Sequence, residues 1–332
     1  MSEVRKDPIS GRSVIIAAER AKRPGSLNAG DISPQSEPCP FCAGNETRTP
    51  PEVFAYRRNP DPPDSPGWSV RVVPNKYPAL EKNAVRQPHD GGFYESLNGL
   101  GVHEVIVESP DHIIDVTQLS DEQFALALDA YQQRLSYWRA DPRWRYLLVY
   151  KNQGTIAGAT LEHVHSQFMA LPDLPRECAE QIARMKRYYK TMGRCLCCAM
   201  IDKEIAHRER LVSNADRFVV FCPFAPRFAY ETWILPRDHA PFFEHGTEAD
   251  LLALARILRD TLARLNATLG KPSFNYVIHT APTDAASSRD YHWQLQILPQ
   301  LIRAAGFEWG SGMHINPVAP EAAARLLRGA AI

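Results

Sequence analysis

The sequence shows no excess of either charge and no long apolar run. Its 332 residues include 38 Lys and Arg against 38 Asp and Glu, so the formal net charge is zero. A dedicated nucleic-acid binder usually has a clear basic excess, which this chain lacks. No stretch approaches the roughly 18 uninterrupted apolar residues of a membrane-spanning helix. Residues 1–12 are polar and contain no signal-like apolar run, so we expect no secretory signal and a cytoplasmic location.

The composition also argues against a disordered chain and against a disulfide framework. Hydrophobic residues make up 44% of the chain and charged residues 23%, which is close to the average of globular proteins. The seven cysteines are an odd number, and thiols in a reducing compartment are more often buried, catalytic or bound to metal than paired. At about 150 residues per domain, the length predicts about two domains.

Short strands and one long helix recur in each half of the sequence. In the first half we expect strands at 13–17, 69–73, 104–108, 146–150 and 163–171, and helices at 120–138 and 175–192. In the second half we expect strands at 219–221, 232–235, 274–279 and 292–298, and a helix at 249–269. This pattern predicts an α+β fold with mainly antiparallel sheets. The predicted domains are 1–172 and 195–332, joined by a helical segment at 173–194.

A C-x-x-C motif followed by two histidines occurs twice, in the same order. The first set comprises Cys39, Cys42, His112 and His163, and the second comprises Cys195, Cys198, His239 and His292. The spacing between the two histidines is nearly equal in both sets. The repetition indicates a duplicated unit in which each copy builds a Cys₂His₂ metal site, and it disfavours the alternative of buried thiols with unrelated surface histidines. Zinc is the expected metal, with iron as the main competitor, especially in the second site.

The two copies differ at one position that bears on chemistry. Side chains at i and i+2 of a strand share a face, which predicts one row of His163, His165 and Gln167 and a second row of His292, Gln294 and Gln296. The first copy therefore keeps a histidine that the metal does not need, where the second has Gln294. An imidazole without metal can act as a nucleophile or a general base near neutral pH. We predict that His165 is catalytic.

Two further features favour a phosphate-containing substrate. Residues 20–23 carry three cations, including Arg20 and Arg23, and guanidinium groups bind phosphate oxygens bidentately. Residues 154–160 form a loop of small residues whose backbone amides could approach an anion. Each feature alone also fits a solvated face or an ordinary turn. Their conjunction with His165 favours phosphorus as the target.

The segment His163-Val164-His165-Ser166-Gln167 resembles the histidine-triad superfamily, and specifically its galactose-1-phosphate uridylyltransferase branch. Members of this branch have Gln where triad hydrolases have a third His. The resemblance covers nearly the whole chain. Within the branch, residues 295–301 and 306–308 look most like the ADP-glucose phosphorylase subgroup. The resemblance to this branch implies two tandem histidine-triad-like domains, two structural zinc sites and a homodimer.

The resemblance also implies a ping-pong nucleotidyl transfer between a nucleotide-sugar and either a hexose 1-phosphate or inorganic phosphate. His165 would be the nucleophile and Gln167 a hydrogen-bond donor to the phosphate. The residues that would hold the nucleotide and its phosphates are Arg20, Arg23, Asn75, Asn152, Gly158 and Thr160. Those that would lie towards the sugar or phosphate end are Gly306, Phe307 and Glu308.

Several activities fit this pattern. The leading expectation is uridylyl transfer between UDP-glucose and a hexose 1-phosphate, and the second is ADP-glucose phosphorylase activity. Val164, Ser166 and Gln294 depart from the enteric uridylyltransferases, which have Pro, Gly and His there, so adenine competes with uridine as the base. A triad-type nucleotide hydrolase is disfavoured by Gln167, and a non-catalytic zinc-stabilised nucleotide-binding module is the remaining alternative. We expect no nucleic-acid or membrane partner.

Overall fold

The computed structural model describes residues 3–16, 38–86, 88–89, 93, 96–284 and 289–332. In these residues the strands are β1 (Glu3–Lys6), β2 (Ser13–Ile16), β3 (Phe54–Arg57), β4 (Trp68–Pro74), β5 (Pro88–His89), β6 (Ser96–Leu97), β7 (Val102–Val107), β8 (Tyr146–Gln153), β9 (His165–Leu171), β10 (Leu211–Asn214), β11 (Phe218–Phe221), β12 (Thr232–Pro236), β13 (Phe274–His279), β14 (Gln294–Pro299) and β15 (His314–Asn316). The helices are α1 (Asp121–Arg139), α2 (Arg176–Met192), α3 (Leu196–His207), α4 (Glu248–Leu269), α5 (Gly306–Ser311) and α6 (Pro320–Gly329).

One ten-stranded sheet contains strands from both halves of the chain. Its strand order is β10-β11-β12-β14-β13-β8-β9-β7-β4-β3, and all its neighbouring pairs are antiparallel. The halves meet where β8 pairs with β13, with Asn152 opposite Asn275. A smaller sheet joins the two ends of the chain, because β15 pairs in parallel with β2. This pairing brings the C-terminal segment against the N-terminal strands.

Helices α1 and α4 cover one face of the large sheet. The Ser120 side chain caps α1 by accepting from the Gln123 amide, and Thr247 begins α4 with a capping box to Asp250. Residues from both helices and from the facing side of the sheet form the main hydrophobic core, which includes Phe168. Because side chains alternate along a strand, the neighbouring residues of β9 point to the opposite face. That face carries the candidate site.

The opposite face differs between the two halves. In the second half it is packed against α2 and α3, where Met185 and Ile201 contact a buried cluster that includes Val219 and Trp233. In the first half the same face presents His165 and its polar neighbours. No helix among the described residues has the length and apolar character needed to cross a bilayer.

The predicted α+β class and the mainly antiparallel pairing are confirmed. The predicted row of three side chains is wrong in one respect, because β9 begins at His165 and β14 at Gln294. His163 and His292 therefore lie in the segments before these strands, where the chain turns towards the cysteines. Helix α3 was not predicted. The domain boundaries remain a prediction, and α2 lies between them.

Candidate active site and metal centres

The four side chains of the first Cys/His set converge on one point. Their ligand atoms lie within 4.8 Å of one another. The distance from Cys39 Sγ to His163 Nδ1 is 3.5 Å, and that from Cys42 Sγ to His112 Nδ1 is 3.4 Å. Sulfur and nitrogen donors bound to a tetrahedral zinc at about 2.3 and 2.0 Å lie about 3.5 Å apart. The spacing therefore fits a tetrahedral metal ion.

The second set converges in the same way. Its four ligand atoms also lie within 4.8 Å of one another, and Cys198 Sγ is 3.5 Å from Nδ1 of both His239 and His292. Cys195 occupies the N-cap position of α3, without a capping hydrogen bond from its side chain, and Cys198 lies in the first turn of that helix. The unpredicted helix α3 therefore presents this C-x-x-C motif.

Backbone carbonyls orient one histidine in each set. His163 Nε2 donates to the Ser109 carbonyl at 2.8 Å, and His292 Nε2 donates to the Pro236 carbonyl at 3.0 Å. Because a carbonyl only accepts, the proton is on Nε2 and the Nδ1 lone pair faces the thiols. Both sets of predicted ligands therefore form groups that could hold a metal, and their mixed sulfur and nitrogen donors suit zinc.

His165 is the first residue of β9 and is 7% exposed. Its Nδ1 lies 2.7 Å from the His163 carbonyl oxygen, so Nδ1–H is the donor and Nε2 keeps its lone pair. Burial lowers the pKa of His165 to about 4, and the positive charge of Lys151 acts in the same direction. The Phe41 ring packs against the imidazole, with 5.2 Å between the ring centroids. The structure thus presents a neutral imidazole whose Nε2 makes no hydrogen bond to any of the described residues.

Gln167 lies two residues further along β9, on the same face as His165. Its Oε1 accepts from the Tyr150 hydroxyl at 2.9 Å and from His103 Nε2 at 2.7 Å. His103 Nδ1 accepts from the Ala79 amide, which leaves the imidazole proton on Nε2. With its carbonyl oxygen held by two donors, the Gln167 amide nitrogen keeps both protons for a negatively charged oxygen.

His103 and Tyr150 were not among the predicted site residues. In the sheet, Tyr150 lies directly opposite Gln167, and His103 lies opposite Met169 on the other neighbouring strand. In the sequence, each is marked only as a polar side chain on a strand, at a position that alternation assigns to the same face of the sheet as the site. That signal becomes specific only when the order of the strands is known.

The predicted residue Asn75 joins this cluster. Its Nδ2 lies 3.1 Å from His103 Nε2, a contact without a hydrogen bond, because both nitrogens carry protons in this arrangement. Asn75 and His103 also line a cleft of about 480 Å³, a volume in the range of small-molecule sites. A ligand-sized cleft therefore lies directly beside the residues that hold Gln167.

Asn152 and Gly158 lie together at the end of β8. Asn152 Oδ1 accepts from Asn275 Nδ2 at 2.8 Å, and the same nitrogen donates to the Ala157 carbonyl. Gly158 has a φ of +90°, and a Cβ placed there would lie 3.7 Å from Asn152 Nδ2. The predicted residue Thr160 follows two positions later and is exposed. The second half of the chain thus holds an asparagine of the first half.

The remaining predicted residues lie elsewhere. Arg20 and Arg23 are outside the described residues. Gly306, Phe307 and Glu308 form the start of α5, and Glu308 lines a separate cleft with Arg303 and His314. Within the described part of the chain, no hydrogen bond, ion pair or ring contact joins these three residues to His165 or Gln167. Their predicted role in substrate binding remains a prediction.

Comparisons with known proteins find relatives along nearly the whole chain. Residues 1–175 match the family model of the galactose-1-phosphate uridyl transferase N-terminal domain, and residues 100–328 match a domain of unknown function, DUF4921. The ADP-glucose phosphorylase of Arabidopsis thaliana is 37% identical over 98% of this chain and 92% of its own length. The galactose-1-phosphate uridylyltransferase of Thermotoga maritima is 27% identical over 99% of this chain and 98% of its own length.

Solved structures show the same similarity. The Arabidopsis thaliana ADP-glucose phosphorylase with bound ADP-glucose has a TM-score of 0.85 and 34% identity, and all of each chain is covered. A uridylyltransferase structure has a TM-score of 0.77 and 26% identity, covering 99% of this chain and 98% of that one. Fold and site together define a nucleotidyltransferase. The chain belongs to the galactose-1-phosphate uridylyltransferase family, which confirms the predicted resemblance.

Proposed function

We propose that this protein transfers the adenylyl group of ADP-glucose to inorganic phosphate through a covalent intermediate on His165. The observation that carries the proposal is the His165 imidazole, whose Nδ1–H is anchored on the His163 carbonyl. Within the described part of the chain its Nε2 makes no hydrogen bond, and the Gln167 amide lies on the same face of β9. A buried neutral imidazole is both a good nucleophile and a good leaving group, so one difficult transfer becomes two easier ones.

The first step forms a phosphorus–nitrogen bond. The Nε2 lone pair of His165 attacks the α-phosphorus of ADP-glucose, and the bond from that phosphorus to the bridging oxygen breaks. The electron pair leaves with the oxygen, which departs as part of glucose 1-phosphate. In the second step an oxygen of inorganic phosphate attacks the same phosphorus. The phosphorus–nitrogen bond then breaks, and this step releases ADP and restores the neutral imidazole.

The amide side chains of Gln167 and Asn152 suit phosphate as the acceptor. Gln167 has both amide protons available for a non-bridging oxygen, because Tyr150 and His103 hold its carbonyl oxygen. An amide cannot accept the proton that an attacking water must lose, whereas phosphate has an unprotonated oxygen at neutral pH. Asn152 can donate in the same way, since Asn275 holds its carbonyl oxygen.

The two Cys/His sets would hold structural zinc ions. A closed four-ligand site supplies a cross-link between chain segments and no open position for substrate. In the first set this cross-link would include His163, whose carbonyl accepts the His165 proton. His163 would therefore both bind the metal and orient the His165 imidazole.

Adenine is favoured over uridine by the comparisons. The Arabidopsis thaliana ADP-glucose phosphorylase has 37% identity, against 27% for the Thermotoga maritima uridylyltransferase. The structure with bound ADP-glucose also has the higher TM-score of the two compared. Uridylyl transfer from UDP-glucose is the second candidate, because the first half of the chain matches the uridyl transferase N-terminal domain.

The test uses the half-reaction without any phosphate acceptor. The protein is mixed separately with ADP-glucose and UDP-glucose, and mass spectrometry of peptides measures a nucleotidyl adduct. We expect an adenylyl adduct on His165 and release of an equal amount of glucose 1-phosphate. His165→Ala should form no adduct, and His207→Ala, at the exposed end of α3, should react like the unmodified protein. An adduct from UDP-glucose alone would establish the second candidate, and no adduct from either would refute the covalent mechanism.

A further inference from the structure

A buried polar network lies on the face of the sheet opposite the imidazole. Its centre is the ion pair of Lys151 and Glu108, which are 1% and 0% exposed and lie 2.6 Å apart. The second Glu108 oxygen accepts from the Tyr131 hydroxyl and the Ser166 hydroxyl, each at 2.5 Å. The Tyr131 hydroxyl also lies 2.8 Å from the Tyr276 hydroxyl. Residues of both halves therefore complete the network.

The network contacts the main chain of His165, the predicted nucleophile. Lys151 Nζ donates to the main-chain carbonyl of His165 at 2.9 Å. The pairing of β8 with β9 ends at Tyr150 and Gln167, whereas the pairing of β7 with β9 continues to His165. The ammonium group thus supplies a hydrogen-bond donor at the point where the β8–β9 pairing stops.

Fold stability alone gives a weak reason for a buried ion pair here. Removing two charges from water is costly, and apolar side chains of similar size often stabilise a core as well or better. The surrounding core is apolar, with Phe168 and Val149 among its members. What the apolar alternative cannot provide is a donor to the His165 carbonyl.

We infer that Lys151, with Glu108 as its counterion, is a positioning residue that fixes the main chain of His165 from the opposite face of the sheet. The inference rests on the proposed function, since it assigns a role in placing the nucleophile. His165 is held at its Nδ1 by the His163 carbonyl and at its own carbonyl by Lys151. The two contacts together restrict where Nε2 can point. A misplacement of about 1 Å in a reacting group can slow a reaction about 100-fold.

The test replaces the ion pair without leaving a lone buried charge. Glu108→Gln/Lys151→Met keeps the side-chain lengths and keeps an acceptor for Tyr131 and Ser166, but it removes the donor to His165. We expect adenylyl adduct formation in a single turnover to be at least about tenfold slower. The KM for ADP-glucose and the metal content should remain within about twofold.

Two comparison variants separate positioning from general destabilisation. Glu204→Gln/Arg210→Met removes another buried ion pair, in the second half of the chain, and should form adduct at the unmodified rate. Glu108→Gln alone keeps the Lys151 nitrogen as a donor to the carbonyl. It should therefore react at least about threefold faster than the double variant. All rates are measured well below the melting temperature of each variant.

The results have distinct meanings. If Glu108→Gln/Lys151→Met forms adduct as fast as the Glu204→Gln/Arg210→Met control, the positioning role is refuted while the proposed function stands. If the unmodified protein forms no adduct, the proposed function is refuted and this inference falls with it. If the double variant does not fold, Lys151→Arg replaces it, because it keeps the charge but displaces the donor. Slower adduct formation in Lys151→Arg supports positioning, and an unchanged rate overturns it.

Discussion

Tyr150→Phe removes one of the two donors that hold Gln167 and leaves the ring in place. The lost hydrogen bond, 2.9 Å long, joins two neutral groups, and such a bond contributes about 0.5–1.5 kcal/mol. His103 still donates to the same oxygen at 2.7 Å, so the amide keeps a preferred orientation. At about 1.4 kcal/mol per tenfold change in rate, we expect adenylyl transfer to slow about 2- to 12-fold.

A double-mutant cycle shows whether Tyr150 acts through Gln167. Gln167→Ala removes the donor itself, and loss of such a donor typically slows a reaction about 100- to 1,000-fold. In that background Tyr150→Phe should have almost no further effect, because there is no amide left to orient. The assay is the single-turnover formation of adduct from ADP-glucose by each of the four proteins.

The matched control is Tyr146→Phe, on the same strand and the same face as Tyr150. The Tyr146 hydroxyl lies 3.3 Å from His279 Nδ1, and among the described residues no hydrogen bond joins it to Gln167, so its removal should leave the rate unchanged. An equal loss from Tyr150→Phe with and without Gln167 would refute the orientation argument. An unchanged rate in Tyr150→Phe alone would also refute it.

Three further predictions concern the metal centres, the loop and acid stability. Elemental analysis of the purified protein should find about two zinc ions per chain, and Cys42→Ser or Cys198→Ser should each remove about one; unchanged zinc in both variants would contradict the assigned ligands. Gly158→Ala should lower the free energy of unfolding by about 1–2 kcal/mol, because Gly158 has a φ of +90°. Denaturant unfolding measures this loss, and the control Gly310→Ala, at a position with open space around it, should show none. Burial raises the pKa of Glu46, but hydrogen bonds from the Trp68 indole and the Gly44 amide outweigh it and lower that pKa below 4.5. The stability from this carboxylate is present above pH 4.5 and is lost as the pH falls through the lowered pKa. The free energy of unfolding of Glu46→Gln should therefore fall less steeply with decreasing pH. An unchanged pH dependence below pH 4.5 would contradict this.

The metal ligands and the general fold could be predicted from the sequence because both rest on local or repeated patterns. A C-x-x-C motif is local, and the second copy in the same order identified the distant histidines. Ser120 and Thr247 are the N-cap residues of α1 and α4, and serine and threonine are typical of that position. These signals do not depend on which strands are neighbours.

The contacts around Gln167 and Asn152 depend on which strands pair over long range. Tyr150 and His103 contact Gln167 only because β8 and β7 lie on either side of β9, and no local pattern specifies that order. Asn275 holds Asn152 only because β13 pairs with β8 across the two halves. The start of β9 at His165 was also missed, because the run 163–171 looks like one strand although His163 must turn towards the cysteines.

Isotope exchange tests the central claim, a nucleotidyl-histidine formed at His165, most directly. Labelled glucose 1-phosphate is incubated with unlabelled ADP-glucose and the protein, with inorganic phosphate excluded. A covalent intermediate returns the adenylyl group to labelled glucose 1-phosphate, so we predict that label enters ADP-glucose with the unmodified protein and not with His165→Ala. Net phosphorolysis of ADP-glucose without this exchange, or full exchange in His165→Ala, would contradict the account.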